Sequence, residues 1–229
     1  MPIPERTMLA PDLEISRIIT GLWPLADLER GDGDLDLDSA GKALLEYADA
    51  GFNTFDMADH YGSAELIAGR CLDLISDRGE GSAKVFTKWC PTPGEMTPEV
   101  VREGVQRSID RLGVSKIDLL QFHWWTFEHP AYLDAVRELE VMRSEGLIEH
   151  IGMTNFDTDH LRILVKEGID IASNQVCFSI LDRRAADEMS TFCLENDIKL
   201  LAYGTLAGGF LSDKWVNQPD MKAPDIEDW

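Results

Sequence analysis

The hydrophobic positions of this chain fall into short apolar runs that are separated by segments with helical spacing. The runs are nearly continuous and rich in Ile, Val, Phe and Leu, as expected of parallel strands that are covered on both faces. They occupy residues 15–25, 53–58, 83–90, 118–125, 150–156, 171–179 and 198–206. We therefore predict seven strands of one parallel sheet.

The segments between the runs carry signals for the start and end of helices. A Thr-Pro pair suits an N-cap and first turn, and glycine suits the residue that ends a helix. Val101, Val105 and Ile109 recur at the spacing of one buried helical face. We predict helices that run from Thr97 to Gly113, from Asp157 to Gly168 and over residues 38–51.

Regular alternation of strand and helix predicts an α/β protein with a parallel sheet. The chain contains neither GxGxxG nor GxxxxGK[ST], so a dinucleotide-binding or P-loop fold loses its main support. We predict a single domain over residues 1–229, a TIM-type (β/α)8 barrel. A complete barrel has eight strands in about 250 residues. Because the segment after Leu206 is polar and rich in Pro and Asp, we expect the last β/α unit to be missing.

Charge and composition narrow the choice of partners. The formal net charge is -21, from 42 acidic and 21 basic residues. Nucleic acids and anionic membranes attract basic surfaces, so we expect neither as a partner. No apolar run approaches the roughly 18 residues of a membrane span. The four cysteines show no metal-ligand spacing, and isolated thiols suit a reducing compartment, so we predict a cytoplasmic protein without a metal site.

Three consecutive strands each carry one ionisable residue near the carboxyl end. Asp56 closes one run, and Lys88 and His123 lie near the ends of the next two. These strand ends share one mouth of a barrel, where the active sites of such enzymes lie. Tyr61 follows Asp56 by five residues and can fold over the same mouth. We expect Lys88 to pair with Asp56, although a structural ion pair or a core histidine would explain each residue taken alone.

Several segments together resemble the signature sequences of the aldo-keto reductase family. They are FDMADHYG, VFTKW, LLQFHWW and IGMTNF, followed by NQVCFSILDRR and YGTLAGGFL. The resemblance extends over essentially the whole chain, with the segments in the family's order. It implies an NAD(P)-dependent oxidoreductase that reduces an aldehyde or ketone to an alcohol, or catalyses the reverse. It also implies that Asp56, Tyr61, Lys88 and His123 are the catalytic residues.

The chemistry of these four side chains supports that role. Carbonyl reduction needs a proton donor for the developing alkoxide, which Tyr61 can be, and a hydride that no side chain supplies. Lowering a phenol's pKa by about 3 units needs about 4 kcal/mol. One ammonium at about 4 Å provides about 4 kcal/mol when the effective dielectric constant is near 20. In a site that excludes water we therefore expect Lys88 to acidify Tyr61, and Asp56 to hold Lys88 while its negative charge offsets part of that effect. His123 can donate a hydrogen bond to the carbonyl oxygen or help to pass on the proton.

The resemblance further implies a nicotinamide cofactor, either NADP(H) or NAD(H). Family members hold the nicotinamide amide with polar residues and stack an aromatic ring, usually Tyr, on the nicotinamide, where this chain has Phe178. The residues implied to bind the cofactor are Gly21, Leu22, Trp23, Asp56, Thr154, Asn155, Gln175, Phe178, Gly204, Thr205, Leu206 and Gly208. In the family, the residues that bind the adenosine ribose belong to the last strand and its helices, and the resemblance does not include that part. We therefore expect a piece of a longer product that binds cofactor poorly or not at all by itself.

Aromatic residues around the mouth indicate the class of substrate. Trp23, Trp89, Trp124 and Trp125 suggest a pocket for an apolar or aromatic carbonyl, or for a sugar ring. Asp59 and His60, which flank Tyr61, are further candidates for its lining. The oligomeric state is left open.

Two other classes of function remain as alternatives. A metal-dependent hydrolase could use Asp56, His60 and His123 as ligands. The chain has no HxH or HExxH motif, however, and Lys88 would repel a divalent cation. A non-catalytic regulatory protein could keep the same barrel.

Overall fold

The computed structural model describes residues 4–25, 35–213 and 216, and its centre is a parallel sheet of seven strands. A short antiparallel hairpin precedes the sheet, formed by β1 (Arg6–Ala10) and β2 (Leu13–Ser16). The sheet has the strand order β3-β4-β5-β6-β7-β8-β9, so each strand pairs with the next along the chain. The strands are β3 (Thr20–Gly21), β4 (Thr54–Ala58), β5 (Lys84–Trp89), β6 (Ile117–His123), β7 (Ile148–Thr154), β8 (Ile171–Cys177) and β9 (Lys199–Tyr203). The predicted α/β architecture is confirmed.

Helices connect successive strands of the sheet, and the three helices whose bounds were predicted are found within about two residues of those bounds. They are α1 (Leu37–Asp49), α2 (Ala64–Arg78), α3 (Pro98–Leu112), α4 (Tyr132–Ser144), α5 (Thr158–Lys166) and α6 (Glu188–Glu195). The Thr97 side chain accepts a hydrogen bond from the Val100 N–H, and Gly113 ends α3 at a φ of 66°. Asp157 caps α5 in the same way. Within the described residues, none of the helices has the length and apolarity to span a membrane.

The first predicted strand is wrong in its extent. Residues 15–25 were expected to form one strand, but Ile15 belongs to the hairpin and the sheet strand β3 has only two residues. The apolar residues of the hairpin explain the difference. Leu9, Leu13 and Ile15 are buried in one cluster with residues of β5, β6 and β9, namely Phe86, Leu119 and Leu201. Burying this apolar area favours folding the hairpin over the amino end of the sheet.

The pleat of the strands sends alternate residues to opposite faces of the sheet. Thr87 faces the helices, because its hydroxyl donates to the Glu65 carboxylate on α2 at 2.6 Å. Lys88 is the next residue in β5 and faces the other side. The larger apolar cluster, which includes Phe55, Met57 and Phe122, lies between sheet and helices. The inner face is therefore free to hold polar side chains.

The edge strands β3 and β9 border a cavity of about 730 Å³. Its lining includes Gly21 at the end of β3, Tyr203 at the end of β9, and the inward-facing Asp56 and Gln175. Within the described residues, β3 and β9 each pair with only one strand of the sheet. Most of the polar segment that follows Leu206 lies outside the described residues, from 217 onward.

The packing of α2 on α3 generates a test of the fold. A Cβ added at Gly69 would lie 2.7 Å from the Leu112 carbonyl oxygen, which is backbone and cannot turn away. We expect Gly69→Ala to lower the free energy of unfolding by about 1–3 kcal/mol, whereas Ala in an exposed helix would raise it by about 1 kcal/mol. Denaturant unfolding measures the change.

Gly94→Ala is the control, because its nearest atom, the Thr92 carbonyl oxygen, is 3.9 Å from the added Cβ. This variant should stay within about 0.5 kcal/mol of the parent chain. A stabilised Gly69→Ala variant would contradict the close approach of the two helices.

Candidate active site

A buried ion pair lies where the ends of β4 and β5 meet. The Lys88 ammonium donates to Asp56 Oδ2 at 2.6 Å and to the Met57 carbonyl at 3.2 Å. Lys88 is only 3% exposed. The structure thus places Lys88 beside Asp56, as the sequence predicted. A charge in such surroundings needs both a counter-ion and hydrogen bonds to remain stable.

Two glutamines complete the hydrogen bonding of Asp56. Gln121 Nε2 and Gln175 Nε2 donate to Asp56 Oδ1 at 2.7 Å and 2.9 Å. Gln175 Nε2 also donates to Gln121 Oε1 at 3.0 Å. The sequence reasoning missed Gln121, although its position two residues before His123 places both on the same face of β6. Because both oxygens of Asp56 already accept hydrogen bonds, this carboxylate belongs to an internal network.

Tyr61 lies against the ion pair and is surrounded by aromatic rings. The Lys88 ammonium is 5.2 Å from the centroid of the Tyr61 ring. The Trp23 and His60 rings each meet the Tyr61 ring edge-on, with centroids 4.8 Å apart. Burial and ring packing together hold the phenol at the mouth of the sheet, where the sequence predicted it.

The expected acidification of Tyr61 is wrong for this arrangement. Burial is the main reason that the pKa of the Tyr61 phenol is raised above its usual value, and the negative charge of Asp56 raises it further. Lys88 does not offset these effects, because the negative charge of Asp56 lies beside the ammonium at 2.6 Å. Tyr61 is therefore a protonated phenol.

His123 is a neutral imidazole at the same mouth. Burial is the main reason that the pKa of His123 is lowered to about 4, and electrostatic interactions with His60 and Lys88 lower it further. The ring packs against Trp125 with centroids 4.2 Å apart, and its Nδ1 lies 3.6 Å from the Cys90 sulfur. Burial also raises the pKa of the Cys90 thiol, and Asp59 adds to the effect. Cys90 is therefore a protonated thiol, which can donate to the imidazole.

The four tryptophans divide between two locations. Trp23 and Trp125 are 42% and 57% exposed and contact the mouth residues. Trp89 and Trp124 lie instead in the layer between sheet and helices. The Trp89 ring packs against Gly104 on α3, and the Trp124 indole donates to the His129 carbonyl at 3.1 Å. The prediction that all four line a substrate pocket is wrong for these two, because the strand pleat directs them outward.

Loops after β7, β8 and β9 bring the expected nicotinamide residues together. The Asn155 N–H donates to the Gln175 carbonyl at 2.8 Å, and Asn155 Oδ1 accepts from the Tyr203 hydroxyl at 3.1 Å. Phe178 is half-buried, and its N–H donates to the Tyr203 carbonyl. Thr154 Oγ1 is buried and has no hydrogen-bond partner among the described residues. The sequence analysis gave Tyr203 no role of its own, although this residue lies in the apolar run 198–206 and opens the segment YGTLAGGFL.

Two of the glycines expected to bind the cofactor, Gly204 and Gly208, adopt backbone conformations that favour glycine. Gly204 and Gly208 take φ values of 64° and 63°, in a loop where Thr205 and Leu206 are exposed. A side chain would be strained at these two positions. On the other edge of the sheet, the space around the Cα of Gly21 is open. The Leu22 N–H, by contrast, already donates to the Asp56 carbonyl at 2.8 Å.

These features fit a nicotinamide cofactor. The unpartnered Thr154 hydroxyl, the half-buried Phe178 ring and the open glycine backbone all face the loops at the carboxyl ends of the strands. The adjoining cavity of about 730 Å³ lies within the range of about 300–1,000 Å³ for ligand sites.

Comparison with known proteins identifies the family. The model of the aldo/keto reductase family matches residues 17–228. The chain belongs to the aldo/keto reductase family. Members of this family are NAD(P)-dependent oxidoreductases that reduce carbonyl compounds.

The relatives of this aldo/keto reductase chain are longer than the chain itself. It is 31% identical over 221 residues to the NADH-specific methylglyoxal reductase of Escherichia coli, a match that covers 88% of this chain and 67% of the relative. It is 26% identical to the chloroplastic pyridoxal reductase of Arabidopsis thaliana, covering 92% of this chain and 62% of that protein.

Solved aldo/keto reductases share the fold. The holo form of an aldo-keto reductase from Bacillus halodurans matches with a TM-score of 0.76 at 22% identity, over 97% of this chain and 73% of that one. The glycerol dehydrogenase of Gluconobacter oxydans matches with a TM-score of 0.75 at 27% identity, over 93% of this chain and 66% of that one.

The network around Asp56 generates a stability prediction. Asp56→Asn leaves the Lys88 ammonium buried without a counter-ion, so we expect the free energy of unfolding to fall by about 3–5 kcal/mol. The control is Asp49→Asn, which removes the partner of Arg78 from an exposed pair in which the two side chains are 49% and 36% exposed and 2.9 Å apart. That variant should lose about 0–1 kcal/mol. Equal losses in denaturant unfolding would contradict the special cost of the buried pair.

The low pKa of His123 generates a prediction of pH dependence. The unfolded chain binds a proton at His123 below about pH 6.5, whereas the folded chain does so only near pH 4. Stability from this group is therefore present above pH 6.5 and is lost as the pH falls towards 4. We expect His123→Asn to flatten the loss of unfolding free energy between about pH 7 and about pH 5. If the unfolding free energies of the parent chain and of His123→Asn changed with pH in parallel, the result would contradict a buried neutral imidazole at His123.

Proposed function

We propose that this chain carries the active site for reducing a small aldehyde or ketone to an alcohol, or for the reverse reaction, with Tyr61 as the acid. The observation that supports this most directly is the buried Asp56–Lys88 pair, at 2.6 Å, directly beneath the Tyr61 ring. His123 lies at the same mouth as a neutral imidazole. These four side chains are the proposed catalytic residues.

Tyr61 donates the proton in this proposal. Reduction converts the carbonyl oxygen into an alkoxide, and a phenol is a stronger acid than the alcohol that results, even when its pKa is raised. The protonated form of Tyr61 is thus ready for reduction at neutral pH. Oxidation of an alcohol would require the deprotonated form, which burial and Asp56 disfavour. The arrangement therefore favours reduction.

His123 orients the carbonyl oxygen. The Cys90 thiol lies 3.6 Å from Nδ1, and when it donates there, the ring proton resides on Nε2. An Nε2–H group is a hydrogen-bond donor for the oxygen on which charge develops, and it stabilises the alkoxide without an imidazolium charge. The ion pair of Lys88 and Asp56 lies at the bottom of the site, where its hydrogen bonds hold both side chains in place.

The hydride comes from NADP(H) or NAD(H), which supplies it when bound. Thr154, Asn155 and Gln175 are the residues proposed to hold the nicotinamide amide, and Phe178 is proposed to stack on the ring. The backbone of Gly21, Leu22 and Trp23 and that of Gly204, Thr205, Leu206 and Gly208 are proposed to contact the rest of the cofactor. The relative in Escherichia coli is named as NADH-specific, while a structure from Klebsiella pneumoniae contains NADP.

The proposed substrate is a small carbonyl compound, including the open form of a sugar. Trp23, Trp125 and His60 line the approach to Tyr61 and offer apolar faces rather than charged groups. We also propose a cytoplasmic location. It is supported by the free thiols of Cys71, Cys90, Cys177 and Cys193.

The alternative of a metal-dependent hydrolase requires Asp56 as a free ligand. Asp56 was one of its three expected ligands, but both of its oxygens accept hydrogen bonds from Lys88, Gln121 and Gln175. The Lys88 ammonium, 2.6 Å from Asp56 Oδ2, would repel a divalent cation bound to that oxygen. A hydrolytic metal centre built on Asp56 is therefore disfavoured.

Tyr61→Phe tests the proposed acid. We expect the rate of carbonyl reduction to fall about 10²–10⁴-fold, with nicotinamide binding nearly unchanged, because the ring remains and only the hydroxyl is lost. The rate follows from the disappearance of the reduced nicotinamide's absorbance, and binding from its fluorescence.

Tyr47→Phe is the matched control, since Tyr47 is 52% exposed on α1. It should retain the parent rate. Unchanged turnover in Tyr61→Phe would remove the phenol from the mechanism. If the parent chain binds the nicotinamide but turns over no carbonyl, the non-catalytic alternative gains.

A further inference from the structure

A cluster of metal-ligand side chains lies beside the proposed catalytic residues. Asp59, His60 and Cys90 each offer one ligand atom, and these three atoms all lie within 4.8 Å of one another. The cluster combines a thiol, an imidazole and a carboxylate, which are the donor types that Zn²⁺ takes in proteins.

Backbone contacts hold the two loops of the cluster in place. The Asp59 N–H donates to the Lys88 carbonyl at 2.9 Å, and the Cys90 N–H donates to Asp59 Oδ2 at 3.2 Å. Asp59 Oδ1 also lies 3.0 Å from His60 Nδ1. The carboxylate is therefore already oriented between the other two ligands.

The distances are close to those of a tetrahedral zinc site. Zn–S bonds of about 2.3 Å and Zn–N or Zn–O bonds of about 2.0 Å place neighbouring ligand atoms about 3.3–3.6 Å apart. The Cys90 sulfur and His123 Nδ1 are 3.6 Å apart. His123 does not belong to the group whose ligand atoms all lie within 4.8 Å of one another, so it can supply a fourth ligand once its side chain turns towards the other three.

Charge and access also suit a cation. Thiolate and carboxylate together carry two negative charges, which balance a divalent ion, and both imidazoles bind in the neutral form. The nearby Lys88 ammonium is paired with Asp56 at 2.6 Å, so it opposes the ion only weakly. The His60 side chain is 39% exposed, which gives an ion a path from solvent.

We propose that Asp59, His60 and Cys90, joined by His123, form a binding site for a thiophilic divalent cation of the Zn²⁺ class. Binding exchanges the thiol proton for the metal, so Cys90–SH and the hydrated ion give a Cys90–metal bond and one released proton. The site holds the ion between Tyr61 and His123. The consequence for activity, which depends on the proposed function, is inhibition of carbonyl reduction.

Cobalt substitution tests the site without requiring turnover. The full chain is titrated with Co²⁺, and a thiolate-to-cobalt charge-transfer band is expected at one equivalent, followed by its loss when Zn²⁺ is added. A second group of possible ligands, Asp12, Glu149 and His150, contains no sulfur and cannot produce that band.

Cys90→Ser should abolish the charge-transfer band, and His60→Asn should weaken Co²⁺ binding at least about 10-fold. Because His60 is largely at the surface, this second variant reports on the site even if Cys90→Ser does not fold. Cys177→Ser is the control and should keep the band. No band in the parent chain, or a band that survives in Cys90→Ser, would overturn the proposal, whatever the outcome of the activity assay.

Discussion

The buried pair of Asp56 and Lys88 is the interaction on which the interior of this molecule depends. Removing two charges from water costs several kcal/mol per ion, and the cost is offset only when geometry and hydrogen bonding are nearly complete. Here the ammonium has a carboxylate and a carbonyl, and the carboxylate has two amides as well. The bond from Gln175 on β8 to Asp56 on β4 joins strands that are four places apart in the sheet. Only a curled sheet brings them within 2.9 Å.

The same pair influences the protonation of its neighbours. Burial is the main reason that Tyr61 and His123 are both neutral, and the pair adds to it, because Asp56 raises the pKa of Tyr61 and Lys88 lowers the pKa of His123. The mouth therefore holds a neutral acid, Tyr61, and a neutral hydrogen-bond donor, His123, above the ion pair of Asp56 and Lys88. Such a site can stabilise charge that develops on a substrate oxygen, since no fixed charge competes for it.

The sequence predicted the sheet and its helices well because two independent signals agreed. Apolar runs marked strands buried on both faces, and caps such as Thr97, Gly113 and Asp157 marked the helix ends. The hairpin was missed because Ile15 lies in an apolar run that continues towards β3. No local pattern reveals that Leu13 and Ile15 pack against distant strands rather than in the sheet.

The site was predictable in its members but not in its electrostatics. Strand-end positions were enough to bring Asp56, Lys88 and Tyr61 together. The direction of the change in the pKa of Tyr61 depends on burial and on the 2.6 Å pairing, and neither distance nor burial can be read from residue spacing. Gln121 was overlooked for a related reason, since an amide inside a strand gains meaning only when its partner is known. The cofactor contacts remain predictions.

The hairpin that covers the amino end of the sheet also constrains the order of events during synthesis. Leu9 shares a buried cluster with Leu201, a separation of 192 residues (201 − 9) along the chain. Contacts this remote form late, because a long loop must close first. The hairpin leaves the ribosome well before β9 and lacks its final packing partner until β9 emerges. The apolar side chains of the hairpin therefore stay exposed to solvent while almost all of the sheet is made. Chaperone binding or aggregation is most favourable during this interval.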